Sequence, residues 1–110
     1  MIRSACIAAL LAVPLSGAQS LPAPRTHVVR IDAMQFGTMP AGVRVGDTIV
    51  WINADLVPHT ATASDGSFSA ELPAGSRSAT RVRKAGAIGV VCVYHPGMKT
   101  TLNVGPQGRA

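Results

Sequence analysis

The stretch IGVVCVYHPGM, residues 88–98, decides how the rest of the chain reads. Successive side chains of a strand point to opposite faces, so Ile88, Val90 and Cys92 share one side and the Cys92 sulfur points inward. Past Cys92 the alternation stops and a Cys-x-x-His-x-x-Met run begins, with His95 and Met98 at equal intervals. No strand or helix aims positions i, i+3 and i+6 at one point without bending, so these donors require a tight loop. Pro96-Gly97 suits such a bend, since Pro restricts φ and Gly reaches backbone conformations closed to other residues. A dry thiol resists ionisation, and a metal ion reverses this by deprotonating it outright.

Upstream, His59 follows Pro58 at the end of a strand-like segment, and the fold must bring it to the loop. The four residues His59, Cys92, His95 and Met98 offer two imidazoles, one thiolate and one thioether. Soft sulfur with imidazole suits copper, and a His₂Cys set with a weak axial Met is the arrangement of electron-transfer sites. Taken singly, each histidine reads as an ordinary strand-end residue and Met98 as core filler; the conjunction makes the case. Met34 and Met39 carry the same sulfur, but Met34 beside Phe36 reads as packing. His27 is expected to be exposed.

Working outward, the pattern is β throughout. From Thr26, His27, Val29 and Ile31 face one way and Val28, Arg30 and Asp32 the other. Val43 and Val45 flank an outward Arg44, Gly46-Asp47 is a turn, and residues 48–53 form a dense apolar strand around Trp51. Residues 60–64 alternate hydroxyl and methyl groups before the turn signal Asp65-Gly66. Residues 73–76 make another turn, 78–83 alternate with Arg81 and Arg83 outward, and 101–104 give a last strand. No segment shows helical amphipathicity. Many short strands with regular turns imply an all-β sandwich or barrel of antiparallel strands. Its expected core is Val29, Ile31, Val45, Ile49, Trp51, Ile88, Val90, Leu102 and Val104. Tyr94 fits either core or loop surface.

The chain has 110 residues and a formal net charge of +5. Residues 1–18 read as a secretory signal peptide: Arg3, an apolar run from Ala5 to Leu15 too short to span a bilayer, then Ser16-Gly17-Ala18 as a cleavage site. Residues 19–27 read as a flexible lead-in, 28–104 as one domain and 105–110 as a loose tail. Cleavage removes Cys6 and leaves Cys92 alone, an oddity in an exported protein, where cysteines usually pair. It also removes Arg3, leaving nine basic and five acidic side chains. Arg77, Arg81, Arg83 and Lys84 cluster; they read as a solvated strand face or as a surface steering an acidic partner. Few aromatics, export and the lack of a reader motif argue against nucleic-acid binding.

The segment VGDTIVWIN (residues 45–53), the pair Pro58-His59 and CVYHPGM (residues 92–98) together resemble the small cupredoxins, the type 1 blue copper proteins of the plastocyanin, pseudoazurin and amicyanin kind. The two-residue gaps on both sides of His95 resemble the short ligand loop of amicyanin most, and the likeness spans roughly residues 28–104. It implies a Greek-key antiparallel β-sandwich binding one copper ion per chain. His59, Cys92 and His95 would be the strong ligands and Met98 the weak axial one. The Thr60 amide would hydrogen-bond the Cys92 sulfur, and His95 would lie at the surface as the electron path. Two positions depart from the pattern: Thr60 stands where many relatives have Asn, and Val90 where many have Tyr or Phe.

The expectation is therefore a periplasmic, monomeric carrier of single electrons between a redox donor and an acceptor, with no membrane span. The alternative is copper delivery, resistance or storage without a carrier role. An enzyme is disfavoured, since a catalytic metal needs an open position and no acid-base pair lies near the donors in sequence. A structural zinc site is disfavoured by the thioether, and a metal-free adhesive sandwich by the donor set.

Overall fold

The computed structural model describes residues 22–108. Eight strands run in chain order: β1 (Thr26–Asp32), β2 (Gln35–Phe36), β3 (Thr48–Asn53), β4 (His59–Ala63), β5 (Ser69–Leu72), β6 (Arg77–Arg81), β7 (Gly86–Val91) and β8 (Lys99–Val104). They form two four-stranded sheets, ordered β2-β1-β3-β6 and β5-β4-β7-β8. The chain changes sheet between β3 and β4, between β5 and β6, and between β6 and β7, so the sandwich is stitched by crossing connections. β1 and β3 run parallel, Val29 opposite Trp51, which departs from an all-antiparallel expectation. The segment from Phe36 to Gly46 carries the chain back to the start of the sandwich before β3 sets out in the same direction as β1. The other named pairs are antiparallel.

Alternation places one apolar row per strand inside. Val29 and Ile31 from β1, Ile49 and Trp51 from β3, Ala61 and Ala63 from β4, Ile88 and Val90 from β7, and Leu102 and Val104 from β8 meet in one core. Burying each isoleucine contributes about 1.5–3 kcal/mol. Trp51 sits at the centre, edge-on to Phe36 and stacked near Phe68, with both centroids 6.1 Å away. Its indole N–H donates to Thr80 Oγ1 at 3.1 Å, so a polar atom is buried without loss. Eight of the nine expected core residues are buried; Val45 is only half-buried, and Val43 takes the inward position.

Both expected boundaries shift. β1 starts at Thr26, and Thr26 and His27 pair with Thr48 and Ile49, so the lead-in ends two residues early. His27 is not exposed: its ring bonds the buried Asp47 carboxylate at 2.9 Å. At the other end Gly105 is tied in, its N–H donating to Val43 O and its carbonyl accepting from Val45 N. Ladder bonding, invisible in a Gly-Pro sequence, holds the first residue of the expected loose tail. The signal-peptide reading falls on residues 1–18, outside the described ones. Among the described residues no helix is long and apolar enough to cross a membrane.

Candidate metal centre

Two connections at one end of the sandwich build the site. β3 ends at Asn53, whose side-chain amide donates to Val57 O and Leu72 O, both at 2.9 Å. Its carbonyl oxygen accepts from Asp55 N, so the 54–58 loop is folded tightly onto the start of β4. That delivers His59 as the first residue of β4, fully buried. β7 delivers Cys92 just past its end, also fully buried. The loop from Cys92 to Met98 then closes on itself. His95 N–H donates to Cys92 O, Met98 N–H to His95 O, and Cys92 N–H to Met98 O. Gly97 does not need the left-handed region here, so the bend rests on this bonding and on Pro96.

The donor atoms converge. Cys92 Sγ lies 3.8 Å from His59 Nδ1 and 3.6 Å from His95 Nδ1, and all three lie within 4.8 Å of one another. Such separations suit donors sharing one first-row ion at about 2.0–2.3 Å each. The rings of His59 and His95 meet edge to face at 5.2 Å. Met98, at the far end of the loop, is buried. The structure brings His59, Cys92 and His95 into one cluster, and Met98 is buried on the same loop as Cys92 and His95. Met34 is corrected: it is 40% exposed on the β1–β2 turn and does not pack in the core, while Met39 is half-buried against it.

Electrostatics favour a metal-ready sulfur. Burial pushes the Cys92 thiol up, but hydrogen bonds from the Thr60 amide, the two imidazoles and the Tyr94 amide outweigh it and bring it down to about 6. The Thr60 N–H reaches the sulfur at 3.4 Å. His59 feels burial, which lowers it, against the Asp55 carboxylate and the Cys92 sulfur, which raise it; the net direction is up.

No family model matches the chain. Amicyanin of Paracoccus versutus is 27% identical over 78 residues, a match covering 66% of this chain and 59% of that protein. The crystal structure of amicyanin from Paracoccus versutus superposes with a TM-score of 0.61 at 24% identity, covering 73% of this chain and 81% of that one. A Cu(I) form of an amicyanin variant gives 0.60 at 23% identity, covering 79% and 98%. An oxidised amicyanin variant gives 0.61 at 27% identity, covering 72% and 81%.

The chain has the fold of the small cupredoxins.

Within this cupredoxin-like fold one departure is met locally. The Thr60 hydroxyl oxygen accepts from Val93 N at 3.0 Å, which pins the ligand loop to β4, and the Thr62 hydroxyl donates to the same oxygen at 3.0 Å. Val90, the other departure, is fully buried as plain core. The sequence reading missed Asp55. Its Oδ2 accepts from His59 Nε2 at 2.7 Å, an arrangement that orients a ligating ring. The Asp-x-x-x-His spacing was the available signal, but in a loop it has no fixed geometric meaning. Tyr94 resolves as surface, half-exposed with its hydroxyl on Glu71 Oε2 at 2.9 Å.

Proposed function

We propose that this chain is a small cupredoxin that holds one copper ion on His59, Cys92, His95 and Met98 and carries single electrons between redox proteins. The observation that carries the reading is the convergence of one buried sulfur and two Nδ1 atoms, with the Thr60 amide on that sulfur. The donor set is soft enough for copper and includes the thioether that zinc disfavours. Bound there, copper supplies a one-electron Cu(II)/Cu(I) couple.

The residues do the rest. His59 and Cys92 are fully buried and held by β4 and β7, which keeps water out and leaves little to rearrange when an electron moves. His95 is only half-buried, on the loop that turns outward, and is the electron's exit. Leu56, Val57, Val93 and Tyr94 are exposed on the two ligand-bearing loops and give an apolar rim on which a redox partner can seat. Arg77, Arg81 and Arg83 are exposed and favour an acidic partner, whereas Lys84 is engaged with Asp65 at 3.2 Å. The role is that of a carrier and not an enzyme, because the buried donors leave the imidazole edge of His95 as the point of outside contact. The signal reading of residues 1–18 supports export to the periplasm, and the exposed rim supports transient docking of a partner.

Cu(II) added to the mature protein should produce an intense blue thiolate-to-metal band, and Cys92→Ser should abolish it. Wild-type protein that loads copper stoichiometrically and stays colourless would overturn the proposal. Reversible, rapid electron exchange belongs to a carrier; copper handed to an apo-partner without redox turnover belongs to copper delivery instead.

A further inference from the structure

We propose that Asp55 is a positioning residue of the metal centre, and that the amides of the positive-φ turn at Ala33–Met34 are what anchor it. The inference rests on the copper reading above.

The carboxylate is shared. Oδ2 accepts from His59 Nε2 at 2.7 Å and from Met34 N at 2.9 Å, while Oδ1 accepts from Ala33 N at 2.8 Å. A carboxylate only accepts, so the ring proton sits on Nε2 and leaves Nδ1 bare toward Cys92. That is the tautomer a metal at Nδ1 requires. Asp55 is itself held from behind, its N–H donating to Asn53 Oδ1 at 2.9 Å.

The turn completing this clamp is strained. Ala33 and Met34 connect β1 to β2 with φ of 51° and 60°, in a two-residue turn that normally takes Asn-Gly. Nothing in an Ala-Met pair favours that conformation. Two charge-assisted bonds from its amides to Asp55 offset the strain. The turn and the metal ligand are therefore tied to the same two oxygens, although about twenty residues separate each turn residue from Asp55.

Asp55→Asn tests this. Asparagine offers one oxygen, so its NH₂ must face Ala33 N–H or the pair formed by Met34 N–H and His59 Nε2. The negative charge behind the ring favours the more highly charged Cu(II). Its loss should weaken Cu(II) at least tenfold relative to Cu(I) and raise the reduction potential by about 59 mV per tenfold. In metal-free protein the Ala33 and Met34 amides should lose their hydrogen-exchange protection. The variant A33N/M34G placed in the Asp55→Asn background supplies a turn that needs no carboxylate. It should restore the melting temperature without restoring the potential. Against a blue wild type, an Asp55→Asn protein of unchanged potential overturns the inference. So does a potential that recovers when the turn is repaired, since Asp55 would then act through folding alone. A wild type that loads copper without colour sinks the copper reading, and the inference with it.

Discussion

At the scale of single residues, the centre depends on what each donor's immediate neighbours allow. Cys92 is fully buried yet held down to about 6, because the Thr60 amide and two imidazoles stabilise the thiolate more than burial penalises it. Met98 is buried at the far end of the same loop, with its backbone bonded to both His95 and Cys92, so its substitution tests the axial role without removing a strong donor. Met98→Gln replaces a soft sulfur with a hard oxygen. Copper should stay bound while Cu(II) gains about tenfold or more over Cu(I), a fall of about 59 mV per tenfold by voltammetry. An unchanged potential would remove Met98 from the ligand set. The residues that announce themselves in sequence are those with distinctive donor chemistry. Asp55 does not, because a carboxylate four residues before a histidine is common and acquires meaning only when a loop turns it back onto the ring.

Among the elements, the β1–β2 hairpin is tightly constrained. Ile31 faces Phe36 and Asp32 faces Gln35 across the strained turn, and the next residue, Gly37, continues the pairing by donating to Arg30 O at 2.8 Å. A Cβ on Gly37 would lie 2.7 Å from that same carbonyl oxygen, which is backbone and cannot swing aside. Gly37→Ala should therefore destabilise the protein by about 1–3 kcal/mol in urea denaturation, with the blue band of the surviving folded protein unchanged. A mutant as stable as wild type would show that the hairpin gives way locally. This hairpin also shows why sequence reading stopped short. Asp65-Gly66 announced its turn, since Gly66 takes φ 79° and Asp65 Oδ1 accepts from Ser67 N. Ala33-Met34 carries no such chemistry, because the support for its conformation comes from a distant side chain.

Across the whole molecule, the end opposite the metal centre is fastened by Asp47. Its carboxylate accepts from Arg25 N, Arg44 N and His27 Nε2, tying the entry of β1 to the turn before β3. Burial pushes Asp47 up, but the Arg25 amide, His27 and the Arg44 amide outweigh it, so its pKa lies below the ordinary 3.8. A depressed folded-state pKa stabilises above the unfolded value, and that contribution is lost as pH falls through the folded one. Melting temperature should accordingly drop as pH is lowered below about 4. Asp47→Asn should cost about 1–3 kcal/mol at pH 7 and flatten that acid limb; an identical limb in the variant would exonerate Asp47. The sequence by itself determined the all-β class, most of the inward rows and which residues could act as soft donors, because strand periodicity and side-chain chemistry are local properties of neighbouring residues. Only the tertiary structure decided the parallel β1–β3 pairing, the tethered Gly105 and the Asp55 clamp on His59. The first two join segments far apart in the chain through backbone amides and carbonyls, which every residue carries alike, and the third depends on how a loop turns a carboxylate back onto a ring four residues on.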